Sequence, residues 1–164
     1  MLVRGQRQIG IRDRGNTDLF VVKYNSSGTK QWTKQLGSSG LDSANGITID
    51  SSGNVYVTGV TFGGLDWNTS AGANDLFVVK YNSSGTKEWT VQLGIASSAF
   101  ANGVATYSSG NVYVAGGTYG GLDVNPNKVN PALLVVKYNA SGTKQWTTQV
   151  GSHQYDEARG VATD

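Results

Sequence analysis

The chain has 164 residues, of which 38% are hydrophobic, 15% are charged and 23 are glycine, with no cysteine and one histidine. This hydrophobic content suits a folded domain, and the missing cysteine excludes disulfides and thiolate metal sites. The formal net charge of +2 arises from four arginines in the first seventeen residues, because the remainder has nine basic and ten acidic residues. A near-neutral body without a basic stripe argues against a nucleic-acid partner.

Residues 1–14 form an off-pattern N-terminal segment that precedes a repeat region over 15–164. The segment has basic residues but no following apolar core, so it does not match a signal peptide. No run of eighteen apolar residues occurs in the chain, and a membrane-spanning helix is therefore not expected.

A repeat of 57 residues organises the region 15–164. The octapeptide Asp18–Asn25 returns unchanged at Asp75–Asn82, and a third, slightly altered copy ends at Asn139. Self-similarity at a fixed period indicates one structural unit that stacks on its neighbours. The tryptophans at this spacing should occupy equivalent positions, each packed on its own sheet or on the next unit: Trp32, Trp89 and Trp146.

Each repeat carries four short segments rich in valine, isoleucine, threonine, tyrosine and tryptophan, which is typical of strands. Turns such as Asp50–Asn54 and Asn82–Thr86 predict antiparallel hairpins, because glycine there permits the backbone of a tight turn. In the segment 75–82 both side-chain faces are apolar, so both faces of its sheet should be buried. Four-stranded sheets packed around an axis satisfy this requirement, and we predict an all-β fold of β-propeller blades. A β-sandwich is the alternative.

The repeat spacing predicts two complete blades and parts of two others, which is an incomplete ring. From the axis outward, each blade should contain the ANGITID, NVYVTG and DLFVVKYN strands and then the strand with tryptophan. The chain is expected to belong to a longer protein with further repeats, or to associate with other copies. The predicted units are an outer half blade at 18–36, blades at 44–93 and 101–150, and the inner strand of a following blade at 158–164.

The pattern D-L-F-V-V-K-Y-N-x-S-G-T-K-x-W-T, followed by N-G and by S-S-G-N-V-Y-V-x-G-x-T, resembles the bacterial beta-propeller repeat family SBBP over residues 15–164. The resemblance implies seven-bladed propellers in exported or cell-surface proteins, and it implies no catalytic residues. A weaker similarity links Asn82–Trp89 to the tryptophan-docking motif of quinoprotein propellers, although one gap is a residue shorter. A shared hairpin explains this similarity better than a quinone cofactor does.

Antiparallel strand order places the joins 61–74 and 94–100 on one rim of the propeller and the Ser-Gly turns on the other. The joins vary between copies, whereas the turns are nearly constant. Variable loops on a rigid scaffold are typical of a recognition surface, although drift in unconstrained loops gives the same variation. The candidate rim-loop binding residues are Asp42, Asp66, Trp67, Phe100, Asp123, His153, Tyr155 and Asp156.

The sequence thus predicts a non-catalytic repeat scaffold, or a module that binds an unknown protein or glycan, in an exported or cell-surface bacterial protein. No nucleophile elbow, phosphate loop or zinc spacing is present, so no catalytic, cofactor-binding or metal-binding residue is expected. His153 beside Asp156 and Glu157 suits acid–base or metal chemistry, but a solvated loop histidine fits the same pattern. The alternative is a fragment of a glycan-active or quinone-dependent propeller enzyme whose active residues lie in other blades.

Overall fold

The computed structural model describes residues 16–122, 131–152 and 154–164, so the candidates Asp123 and His153 and the off-pattern segment 1–14 lie outside the described residues. Within these ranges the chain is built from strands, and the one helical element there is the 3-10 turn Leu65–Trp67. The strands are β1 (Leu19–Tyr24), β2 (Lys30–Leu36), β3 (Asp42–Ile49), β4 (Val55–Thr61), β5 (Asp75–Tyr81), β6 (Lys87–Leu93), β7 (Ala99–Thr106), β8 (Val112–Thr118), β9 (Ala132–Tyr138) and β10 (Lys144–Val150).

The strands form three antiparallel sheets in chain order. The first hairpin is β1–β2, the middle blade is β3–β4–β5–β6, and the third blade is β7–β8–β9–β10. Short turns such as Asp50–Asn54 and Asn82–Thr86 join the strands of each hairpin, with a glycine at positive φ in each turn. The predicted all-β blade architecture is confirmed, and the strand order within each blade is the predicted one.

Both faces of the middle blade are buried, as the apolar alternation of its third strand predicts. Leu76, Phe77, Val78 and Val79 are each 0% exposed. Phe77 and Val79 belong to a core shared with the first hairpin, whereas Leu76 and Val78 belong to a core shared with the third blade. Each sheet therefore stacks on its neighbour through one hydrophobic junction, which is the packing of a propeller.

The inner strands approach one another closely through Asn-Gly pairs. Asn45 Nδ2 donates to the carbonyl of Ala101 at 2.8 Å, and a β-carbon on Gly46 would lie 3.0 Å from the Asn102 carbonyl oxygen. Asn102 repeats the contact by donating to the carbonyl of Ala158 at 2.9 Å. Glycine is needed beside each asparagine because a side chain there would meet the next backbone.

Residues 158–164 differ from their prediction as an inner strand. They run along β7, where Asn102 and Thr106 bond to them, in the position that β7 holds relative to β3. They form no strand, because no neighbouring strand among the described residues completes a ladder with them.

The tryptophan series links successive blades. The indole Nε1 of Trp32 donates to the carbonyl of Ser83 at 3.1 Å, and Trp89 donates to the carbonyl of Ala140 at 3.1 Å. Each ring covers the turn glycine of the next blade, since a β-carbon on Gly85 or Gly142 would lie 2.9 Å from the indole. The predicted packing is thus confirmed for all three tryptophans, because Trp32 and Trp89 pack on the next blade and Trp146 packs on Tyr113 of its own sheet.

Candidate functional site

Some joins link the second and third strands of a blade, and others link one blade to the next. Both kinds lie at the same end of the blades, as antiparallel order requires. The amide of Ala73, in the join between β4 and β5, donates to the carbonyl of Ser97 at 2.9 Å. Ser97 lies in the join between β6 and β7, and the amide of Ala99 donates back to Asn74 at 3.0 Å. We refer to this end, formed by residues 37–42, 61–64, 71–74, 94–100, 118–122, 151–152 and 154–157, as the join rim.

Three aromatic rings form a contiguous cluster on the join rim of the third blade. The ring centroids of Phe100 and Tyr119 are 6.3 Å apart, and those of Tyr119 and Tyr155 are 6.4 Å apart at an interplanar angle of 75°. Such edge-to-face contacts stabilise aromatic pairs. Tyr119 is 45% exposed and Tyr155 57% exposed, so the cluster offers rings to solvent. Phe100, Tyr119 and Tyr155 are called the aromatic cluster below.

Sequence reasoning selected Phe100 and Tyr155 but missed Tyr119. Its counterpart 57 residues earlier, Phe62, is also aromatic and is 50% exposed. An aromatic residue repeated at the first position after a strand was therefore the signal in the sequence. Gly117 beneath the cluster has a structural role, since a β-carbon there would lie 2.7 Å from the Phe100 ring.

A polar edge adjoins the aromatic cluster. The hydroxyl of Tyr155 donates to Glu157 Oε2 at 3.2 Å, and Arg159 Nε donates to Glu157 Oε1 at 2.8 Å. Desolvation and the adjacent Glu157 carboxylate raise the pKa of the Tyr155 hydroxyl. The cluster combines apolar rings with hydrogen-bonding groups, the composition typical of binding hot spots.

Asp156 shapes the loop that carries Tyr155. Its carboxylate accepts hydrogen bonds from the Ser152 amide at 2.6 Å and the Ser152 hydroxyl at 2.8 Å. These bonds lower the pKa of Asp156, because they favour the charged form. This candidate therefore holds a tight loop and positions its neighbour Tyr155.

Asp42 was a candidate binding residue of the rim loops, but its side chain is buried. It is 1% exposed, and its carboxylate accepts hydrogen bonds from the Ser38 amide at 2.6 Å and the Ser38 hydroxyl at 3.0 Å. Burial raises the pKa of Asp42, although these bonds partly oppose the effect. The side chain therefore fixes the join between β2 and β3 from inside.

Asp66 and Trp67 also differ from their prediction, because their join leaves the rim and folds along the outer strand β6. The amide of Leu65 donates to Gln92 Oε1 at 2.9 Å, and the carboxylate of Asp66 forms an ion pair with Lys87. Trp67 is 96% exposed. Both Asp66 (φ 53°) and Trp67 (φ 69°) adopt left-handed backbone, which is unfavourable for residues other than glycine and concentrates at functional sites.

Glutamines on the outer strands hold these joins in place, and sequence reasoning missed them. Gln92 Nε2 donates to the Gly63 carbonyl at 3.0 Å and to Asp75 at 2.7 Å. Gln149 repeats the contact by donating to the Gly120 carbonyl at 2.8 Å. Glutamine recurs at the 57-residue spacing in the sequence, which could have revealed this role.

Neither a metal site nor a membrane-spanning helix is found among the described residues. No group of three or more histidine, cysteine, aspartate or glutamate side chains there could hold a metal ion. No helix in the same ranges is long and apolar enough to cross a membrane.

A known repeat family matches two segments of this chain. The family model described as the SBBP beta-propeller repeat matches residues 31–66 and 88–123. These segments are SBBP beta-propeller repeats. Each match begins on the tryptophan strand of one blade and ends beyond the second strand of the next, so the SBBP unit spans a blade junction.

Two curated proteins are similar to this chain, and one of them is named for WD repeats. An uncharacterized WD repeat-containing protein of Acanthamoeba polyphaga mimivirus is 27% identical over an alignment of 169 positions, gaps included, which covers 84% of this chain. The regulatory protein FlaEY of Caulobacter vibrioides is 30% identical over 111 residues, which cover 63% of this chain. The chain spans 12% of the length of each relative. The chain therefore matches only a part of each of these longer relatives.

Proposed function

We propose that the SBBP repeats form a non-catalytic binding module that holds a protein ligand against the join rim. The observation that supports this most directly is the aromatic cluster, in which two partly exposed tyrosines pack on a half-buried phenylalanine. Tyrosine and arginine are enriched at protein interfaces and supply much of their binding energy. Arg159 and Glu157 beside Tyr155 add polar contacts at the edge.

The rigidity of the cluster favours binding without rearrangement. Gln149 fixes the Gly120–Leu122 segment that follows Tyr119, and Asp156 fixes the loop that carries Tyr155. Side chains held in place before binding lose less entropy when a ligand arrives. A protein ligand therefore meets a preformed surface on the third blade.

We propose binding in place of catalysis because the buried carboxylates serve the fold. Asp42 accepts hydrogen bonds from Ser38, and Asp75 accepts them from Gln92 and from the amide of Ala71. Acids of this kind hold loops and are not directed into a cleft. A purified chain that hydrolyses glycosides, or that requires a quinone for redox turnover, would contradict this part of the proposal.

We propose that the parent protein is exported or displayed on a bacterial cell surface, and the resemblance to SBBP proteins supports this location. Fractionation of cells that express the parent protein would test it. Recovery in the cytoplasmic fraction alone would contradict it.

The binding proposal is tested with two pairs of substitutions. A displayed random-peptide library and a glycan array are screened with the chain and with the variant Tyr119→Ala/Tyr155→Ala. Peptide ligands should bind the chain and lose most of their affinity for the double variant. The control is Tyr107→Ala, which removes a 42% exposed tyrosine from a Ser-Gly turn on the opposite rim. Peptides that bind all three forms equally, or ligands found on the glycan array alone, would contradict the proposal.

A further inference from the structure

The Phe100 ring fills the space beside Gly117 on the adjacent strand. Phe100 in β7 and Gly117 in β8 are register partners, and a β-carbon on Gly117 would lie 2.7 Å from Phe100 Cζ. The preceding residue, Gly116, is a glycine for another reason, because a β-carbon there would overlap the backbone carbonyl oxygen of Phe100. Gly59 of the middle blade has the same backbone contact with Ser43. Gly116 therefore serves strand pairing in the sheet, whereas Gly117 makes room for the ring.

The middle blade has the opposite pair at these two positions. Its register partners Ser43 and Val60 lie 57 residues before Phe100 and Gly117. A small inner-strand residue occurs with valine and a large one occurs with glycine, so each pair fills the space beside the same two strands. Exchanges that conserve total volume are tolerated without a change of fold. The two pairs are therefore alternatives that one strand register accommodates.

The pair decides whether the aromatic residue of the join rim has a packing partner. Phe100 contacts Tyr119, with ring centroids 6.3 Å apart and an interplanar angle of 54°. Phe62, the counterpart of Tyr119, has Ser43 in place of that phenylalanine, and no ring contact joins it to another aromatic residue in the described ranges. Single exposed rings are common on protein surfaces, whereas packed rings form the rigid centre of a binding hot spot. The middle blade thus has a rim aromatic residue but no aromatic cluster.

The exposure of this rim position is a property of the repeat. Phe62 is 50% exposed although the third blade stacks on the middle blade, and Tyr119 is 45% exposed at the same position. A neighbouring repeat therefore leaves the position open to a ligand. Phe100 and Gly117 lie inside the third blade, whose four strands are all described. The contrast between the two blades thus comes from the residues that they carry.

We propose that this register pair determines which blades of the repeat array bind a protein ligand. Phenylalanine with glycine makes a binding blade, and serine with valine makes a blade that does not bind. The inference rests on the proposed function, which assigns binding to the aromatic cluster. Phe100 is then a binding residue, and Gly117 is the positioning residue that admits its ring. Binding can differ from blade to blade in this way while the fold stays the same.

The first test transfers the pair of the middle blade to the third blade. Phe100→Ser/Gly117→Val should retain the strand content of the unmodified chain by circular dichroism, because the middle blade already holds that pair. The probe is the set of peptides recovered from the displayed library on the unmodified chain, and their affinity for the variant should fall about tenfold or more.

The single variant Gly117→Val is the control for folding. It should weaken peptide binding as the double variant does, but it should also lower the denaturant midpoint, because valine and the Phe100 ring compete for one space. Addition of Phe100→Ser should restore the midpoint without restoring binding. This difference separates lost binding from lost folding.

The second test builds the pair into the middle blade and needs no ligand. In Ser43→Phe/Val60→Gly the introduced ring should lie against Phe62, and nuclear Overhauser effects between the two rings should report that contact. The contact between Phe100 and Tyr119 in the same chain is the internal reference.

Adding Ser98→Tyr to that variant supplies the counterpart of Tyr155. By isothermal titration calorimetry, the triple variant should bind two copies of a recovered peptide where the unmodified chain binds one. Peptides that bind the unmodified chain and Phe100→Ser/Gly117→Val equally would overturn the proposal and leave the proposed function intact, as would an introduced ring that does not contact Phe62. A library that yields no peptide would contradict the proposed function and the binding role of the pair together.

Discussion

The two tryptophans of the middle blade have opposite surroundings. Trp89 covers Gly142 of the third blade and donates its Nε1 proton across the junction, whereas Trp67 is 96% exposed. Replacement of Trp89 by alanine removes the ring from the junction and the hydrogen bond to Ala140. We expect Trp89→Ala to lower the free energy of unfolding by about 2–4 kcal/mol, within or just below the range for buried aromatic residues.

The matched change Trp67→Ala should alter the free energy of unfolding by less than about 0.5 kcal/mol, as is usual for surface substitutions. Urea titration followed by far-ultraviolet circular dichroism gives both values. Equal losses in the two variants would show that Trp67 packs against the protein and would contradict the assignment of Trp89 to the junction.

Asp42 makes stability depend on pH in a direction opposite to the usual one for a carboxyl group. Burial, and the Asp18 carboxylate across the first junction, raise the pKa of Asp42 above its usual range. A raised folded-state pKa means that the native chain binds the proton more tightly than the unfolded chain does. The resulting stability is fully present below the unfolded pKa and is lost as pH rises through the folded pKa.

We therefore expect the stability of the unmodified chain, relative to the Asp42→Asn variant, to be greater at pH 4 than at pH 7. Asparagine keeps an acceptor for Ser38 but does not titrate, so the difference isolates this one group. Denaturant midpoints at the two pH values measure it. A relative stability that increases with pH would mean that hydrogen bonds from Ser38 and Thr61 outweigh burial.

At the scale of elements, the joins that precede the middle and third blades carry different residue pairs at equivalent positions, one polar and one apolar. The first copy pairs Ser38 with Asp42, whereas the next copy has Ile95 and Ala99 at the same positions. Ala99 is 0% exposed, and Ile95 packs against the second core. Both members change together because an apolar replacement of either one alone leaves a buried polar group unpaired.

A double-mutant cycle tests this coupling in the first join. Asp42→Ala alone should lower the free energy of unfolding by about 1–3 kcal/mol, because it leaves the Ser38 donors unsatisfied. Adding Ser38→Ile should recover part of that loss and give an interaction energy of about 0.5 kcal/mol or more. Strictly additive losses would show that the two positions act independently.

The same elements show how far the sequence could predict the molecule. Strand order and burial of both faces followed from the 57-residue spacing and from apolar side chains on alternate positions, because backbone pairing and burial act locally. The course of the join 61–74 did not follow. It depends on Gln92 and Lys87, which both lie on the outer strand β6. The sequence alone does not indicate that these two side chains contact the join. Two of the three residues of the aromatic cluster were predicted, and Tyr119 was missed because it meets Phe100 and Tyr155 only after separate segments fold together.

At the scale of the whole molecule, each hydrophobic core among the described residues joins two sheets that are adjacent in sequence. The first hairpin and the middle blade share one core, and the middle and third blades share the other. Stability in such an array is approximately a sum of blade terms and junction terms. The molecule should therefore gain stability with every junction added, provided that the tryptophan contact is made.

Insertion of a fourth repeat tests this additivity. A second copy of residues 44–100, placed after Phe100, adds one blade and one junction in register with the 57-residue period. The longer chain should unfold at a higher denaturant midpoint and with a larger m-value, since more surface is buried. The control carries the same insertion with Trp89→Ala in the added copy, so that the blade is present but its junction is weakened. The control should keep the larger m-value and lose most of the gain in midpoint. A midpoint that falls on insertion, or a separate transition for the added blade, would show that the junctions do not couple neighbouring SBBP blades.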